Sequence, residues 1–113
     1  MTRDTTIKKV QSSHSPVGDM GQKFLVAGKR MSMRLWDAEP TGKKTEVHAR
    51  EYETVGYVIK GKARLQLEDQ EIVLEPGDCW LVPPGAGHAY HIEEPFTAIE
   101  ATAPPAEFHP GKV

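Results

Sequence analysis

A chain of 113 residues, 38% hydrophobic and 27% charged, has the size and composition of one folded globular domain, which argues against disorder. Its formal charge of −2 recruits no polyanion: Lys8-Lys9, Lys29-Arg30 and Lys43-Lys44 are isolated pairs without interleaved aromatics, so no nucleic-acid partner is expected. No apolar run follows the N-terminal Met1-Thr2-Arg3 and no segment approaches membrane-spanning length, so the expected compartment is the cytoplasm, with no membrane partner.

In chain order, a short strand is expected over residues 7–10, followed by a Ser-, Pro- and Gly-rich loop over residues 11–22. Strands follow over residues 24–27 and 31–36. Residues 55–59 are apolar at every position but Gly56, which reads as a central strand covered on both faces and ended by Gly61. Ala63, Leu65 and Leu67 alternate with Lys62, Arg64 and Gln66. After the polar break Glu68-Asp69-Gln70, Ile72 and Leu74 alternate with Glu71 and Glu75, which makes a hairpin with one wet face.

Gly77-Asp78 opens another strand, the apolar run Cys79-Trp80-Leu81-Val82, short enough to be covered on both faces. That covering makes Cys79, the single cysteine, a buried inert thiol. Pro83 and Pro84 fix φ and remove two backbone donors, and Gly85 and Gly87 let the chain turn sharply. The chain re-enters with His88, Tyr90 and Ile92 on one face, and a last strand spans residues 96–102. No window carries a helical stripe, and Pro and Gly punctuate the apolar runs, so the fold class is all-β. The organisation is an arm over residues 1–22, a barrel over residues 23–103 and a tail over residues 104–113. Trp36 and Trp80 suit the core or an interface, and His14, His91 and His109 suit the surface.

Gly77, Pro83, Gly85 and His88 stand at the spacing of the second sequence motif of the cupin superfamily, which this stretch resembles; Ile92 replaces the usual asparagine. Upstream, Gly42, His48 and Gly61 match the first motif, with Arg50 in place of its second histidine and Thr54 in place of its glutamate. The resemblance is to small, single-domain, type-2-like cupins with a degenerate first motif. It implies a double-stranded β-helix, a jelly-roll barrel that removes exposed strand edges.

It also implies a site in the barrel mouth. Metal-binding cupins hold a divalent first-row transition metal with three histidines and a glutamate. Here only His48 and His88 remain, and Glu51, Glu53 or His91 would complete the set only if the loop turned them inward. Arg50 opposes a cation, because two unit charges ~4 Å apart repel by about 4 kcal/mol at an effective dielectric of 20.

Three readings stay open. In the first, Arg50, His48, His88, Thr54 and Tyr90 bind a small polar or anionic molecule and no cofactor is needed. In the second, a metal-dependent dioxygenase, isomerase or decarboxylase acts on a small acid, with no catalytic residue yet assigned. In the third, the pocket of a structural or regulatory dimer is vestigial. Val55, Tyr57 and Ile59 need cover on the face opposite the pocket, which predicts a homodimer.

Overall fold

The structure, a computed structural model, describes residues 5–18, 20–45 and 47–106. A short 3-10 helix, Ser12–His14, precedes six strands: β1 (Lys23–Ala27), β2 (Ser32–Glu39), β3 (Glu53–Leu67), β4 (Gln70–Leu74), β5 (Cys79–Val82) and β6 (His88–Ala103). The all-β expectation is met. No helix among the described residues is long and apolar enough to cross a membrane.

β3 and β6 run antiparallel along their whole length and serve both layers of the fold. The first half of β3 pairs with the second half of β6, and this layer is extended by β2 and β1 on one side and by β5 on the other. The second half of β3 pairs with the first half of β6, and β4 adds to its edge. Register shifts between Val58 and Ala63 mark where the ribbon bends. Gly61 sits in that bend with φ +86, and a Cβ there would lie 1.9 Å from the Pro95 carbonyl oxygen. Only glycine fits such a contact at positive φ.

Trp36, Val58, Trp80, Val82, Phe96 and Ala98 from the first layer face Ala63, Leu65, Leu74, Tyr90 and Ile92 from the second, and together they form one core. The layers meet through aromatic edges: Trp36 lies 5.1 Å from the Tyr90 ring and Trp80 lies 6.4 Å from it, centroid to centroid. Such edge-on pairs add roughly 0.5–1.5 kcal/mol each beyond area burial. Gly56 makes room for this cluster, because a Cβ there would come within 2.3 Å of the Trp80 ring.

Several expectations need correction. Residues 7–10 form no strand and are exposed, Ile7 and Val10 among them, because the described residues bury neither side chain. Gly61 does not end a strand, because backbone pairing to β6 resumes beyond it, and residues 88–92 and 96–102 are likewise two halves of β6. In both cases a bulge reads in sequence like a break. Ile72 is half-exposed, unlike its neighbour Leu74.

Cys79 is exposed, because β5 buries one face only: Trp80 and Val82 turn inward, Cys79 and Leu81 outward. For the same reason Val55, Tyr57 and Ile59 are not covered on both sides; each is nearly half-exposed on the outer face. Met33, Val55, Tyr57, Cys79, Leu81 and Ile99 line an apolar groove of about 630 Å³ there. His109 lies outside the described residues, while His14 is exposed as expected.

Candidate site in the barrel mouth

The turn between β5 and β6 is built by its neighbours as much as by its own prolines. Gly85, at φ +81, donates its N–H to the Arg50 carbonyl at 2.6 Å, and Gly87 donates to the Glu68 carboxylate at 2.7 Å. The Glu68 N–H in turn donates to the Gly87 carbonyl at 3.0 Å. His88 therefore enters β6 from a turn tied at two points.

The segment from Gly42 to Arg50 runs antiparallel to the start of β6. Gly42 and Thr45 donate N–H bonds to the carbonyls of Ile92 and Tyr90, and Tyr90 returns one to the Thr45 hydroxyl oxygen at 2.8 Å. His48 and His88 then exchange both of their backbone hydrogen bonds, at 2.9 and 2.8 Å. Residues paired in this way project side chains on the same side of the ladder, so both imidazoles face inward. His88 is buried, and His48 and Arg50 are half-buried. Arg50 lies two residues beyond His48, and its guanidinium Nη2 is 3.7 Å from the Met20 thioether sulfur, a weak acceptor.

His88 and Thr102 are equally far along β6 from Pro95 at the bend, so the two layers bring them to the same open end. Thr54 joins them there, buried and paired across strands with both Val82 and Thr102. Tyr90 is part of the wall: its ring stands edge-on 5.8 Å from that of His88, and its hydroxyl accepts from Trp80 Nε1 at 3.1 Å. Burial, reinforced by the Glu100 carboxylate, pushes the Tyr90 phenol far above its ordinary range, so it stays neutral.

A model of the cupin domain matches residues 34–102, a span that holds both motifs and most of the barrel. This chain belongs to the cupin family. Quercetin 2,3-dioxygenase of Bacillus subtilis (strain 168) is 32% identical over 72 residues, which cover 63% of this chain and 21% of that protein. The cupin chain thus spans about a fifth of that relative's length. Among solved structures, KdgF from Halomonas sp. superposes with a TM-score of 0.73 at 20% identity, covering 90% of this cupin and 97% of that chain. An RmlC-like cupin from Shewanella frigidimarina NCIMB 400 does so with a TM-score of 0.72 at 21% identity, covering 88% and 92%. At these identities the structures share the fold.

The cupin's donor set, among the described residues, does not fit a resident metal. Among the described residues no three His, Cys, Asp or Glu side chains gather where an ion would sit. Glu51 and Glu53 are exposed, and His91 contacts Arg64, its cross-strand partner in β3, instead of pointing with His88. Among the described residues, none of these three turns in to complete a ligand set with His48 and His88. Two imidazoles, a guanidinium and a buried threonine hydroxyl are groups that can donate and accept hydrogen bonds.

The tautomer of His88 follows from its neighbour. Nδ1 is 3.0 Å from the Ala86 carbonyl oxygen, which can only accept, so Nδ1 carries the proton and Nε2 keeps its lone pair. Burial lowers the His88 pKa; the Ala86 bond and Glu100 oppose this, while Arg50 and His48 lower it further. The net shift is downward from 6.5, so the imidazole is neutral at pH 7. Between 6.5 and the lower folded-state pKa the unfolded chain binds the extra proton, and stability rises with pH through that window. Melting temperature should therefore fall as pH drops below 6.5, and His88→Asn should flatten that fall; an unchanged slope would show that His88 titrates as a free histidine.

One group of residues escaped the sequence reading. Arg34 on β2 and Glu100 on β6 are direct cross-strand partners whose side chains, 5% and 0% exposed, pair at 3.1 Å beneath the mouth. Gln22 Nε2 donates to Glu100 at 3.4 Å, and Arg34 Nη1 donates to the Tyr52 hydroxyl at 3.1 Å. Burial alone would lower the pKa of Arg34, but Glu100, Tyr52 and Tyr90 outweigh it, so the guanidinium stays charged. The signal was in the period of two. Arg34 shares the phase of Trp36, and Glu100 that of Phe96 and Ala98, so charged residues occupied inward positions.

Proposed function

We propose that this cupin binds a small hydroxylated carboxylic acid in the barrel mouth and needs no metal to do so. The observation that carries the reading is the pairing of His48 with His88 beside Arg50, whose Nη2 lies against the Met20 sulfur and whose side chain, among the described residues, pairs with no carboxylate. Arg50 offers a planar fork to a carboxylate. The Nε2 lone pair of His88 accepts from a ligand hydroxyl, a role for which a neutral imidazole fixed at Nδ1 is suited. Thr54 and His48 add polar lining.

Calorimetric titration with two- to six-carbon hydroxy acids and their deoxy counterparts tests this. A site built to hydrogen-bond a hydroxyl discriminates against analogues that lack it, so each hydroxy acid should bind at least about tenfold tighter than its counterpart. Equal binding, or none, overturns the reading.

The likeness to quercetin 2,3-dioxygenase favours a second reading, a metal-dependent cupin enzyme acting on a small acid. Metal analysis of protein prepared without a histidine tag or chelator separates the two. Occupancy near one ion per chain would put the enzyme first.

We also propose that two copies pack through the outer face of β3 and β5. Val55, Tyr57 and Leu81 are each about half-exposed there, on the side of the sheet away from the candidate ligand. A second copy would supply cover of matching chemistry. Light scattering should report twice the 12.5 kDa chain mass, and Tyr57→Lys should return it to one. A monomer at micromolar concentration would rule the dimer out.

A further inference from the structure

The buried Arg34–Glu100 pair needs a reason beyond stability. An ion pair removed from water gains little over well-packed apolar residues of the same volume, because desolvation offsets the attraction. What such a pair supplies is direction. Arg34 is held at one end by Glu100, and its guanidinium stands over the rings of Phe24 and Tyr52 at 5.9 and 5.4 Å. It also donates to the Tyr52 hydroxyl.

Tyr52 is the place where this direction is passed on. It follows Arg50 by two residues and precedes the first residue of β3, half-buried between exposed Glu51 and Glu53. Upstream of it, the segment bearing His48 and Arg50 is laddered to the start of β6 at Gly42, Lys43, Thr45 and His48, and Arg50 accepts from Gly85. Beyond His48 the backbone bond from Gly85 to the Arg50 carbonyl holds the stretch that leads into β3, and Tyr52 is the inward anchor of that stretch.

We infer that Arg34 is a positioning residue for the candidate site: fixed by Glu100, it clamps Tyr52 and so aims His48 and Arg50 at His88. The inference rests on the reading of the barrel mouth as the ligand site. The clamp itself is a property of the segment and is measurable without any ligand.

Tyr52→Phe removes one hydroxyl and keeps the ring over Arg34. Amide hydrogen exchange should then show a loss of protection of at least tenfold at His48 and Gly85, the N–H groups that bond His88 and Arg50. The Val58 amide, which donates to Asp78 remote from the segment, should keep its protection. A merely structural role would lower protection everywhere in proportion to global stability. Uniform loss, or no loss, overturns the inference. Arg34→Met combined with Glu100→Gln deletes the clamp without leaving a lone buried charge and should show the same local loss; if it does not fold, Tyr52→Phe decides alone. Hydroxy-acid titration of Tyr52→Phe keeps the two readings apart. Local loosening with binding weakened several-fold supports both. Local loosening in a protein whose wild type binds no hydroxy acid retains the clamp and removes the site.

Discussion

Arg50→His should reverse the ligand preference of the barrel mouth. The change deletes a fixed positive charge beside His48 and His88 and adds a third imidazole two residues beyond His48, on the same side of an extended segment. A divalent ion ~4 Å from a guanidinium is repelled by roughly 8 kcal/mol at an effective dielectric of 20, double the value for two unit charges. Even a fraction of that, about 3 kcal/mol, is a hundredfold in affinity. Titration with Mn²⁺, Co²⁺ or Ni²⁺ should therefore show tight binding in the variant and weak binding in the wild type. Carboxylate affinity should move the other way. Truncating one partner of a desolvated, hydrogen-bonded charge pair typically costs about 2–5 kcal/mol, a loss of at least tenfold. Wild-type protein that already holds metal tightly, with no change on Arg50→His, would place the guanidinium in solvent and make the metal-dependent enzyme the better reading.

Gly61→Ala should be the most damaging single-methyl change in the chain. The added Cβ would lie 1.9 Å from the Pro95 carbonyl oxygen, and a φ of +86 is strained for any L side chain. The obstacle is backbone from the other long strand, so no rotamer change relieves it; the bend between the two layers must open instead. Strain of this kind contributes about 1–3 kcal/mol, and the overlap adds to it. We expect at least about 3 kcal/mol of destabilisation, seen as a drop of roughly 10 °C or more in melting temperature. Gly77→Ala is the control, since it also has positive φ, +92, but nothing lies within 4 Å of its Cβ. It should lose only the conformational term. Equal losses in the two variants would show that the Pro95 contact does not matter.

The period of two, the turn residues and the spacing of Gly77, Pro83, Gly85 and His88 were enough to specify an all-β cupin and to locate its inward histidine. These signals are local. Alternation reports which face of a strand is wet, and a Pro-Pro-Gly turn constrains its own backbone whatever surrounds it. The same local character explains the errors. A bulge at Gly61 looks like a strand end because the pairing that carries the chain past it is supplied by β6, far away in sequence. Cys79 looks buried because apolar character cannot say whether its cover comes from the same chain.

Only the tertiary structure decided what stands around His88. The exchange of backbone bonds with His48, the Met20 sulfur near Arg50 and the charge pair of Arg34 with Glu100 each join residues brought together by the bend and by antiparallel pairing. Sequence showed that Arg34 and Glu100 fall on inward positions of their strands. That they neutralise one another there depends on β2 lying beside β6 in a register that sets one directly opposite the other. Register is fixed by the summed packing of whole strands, so no short stretch of sequence contains it.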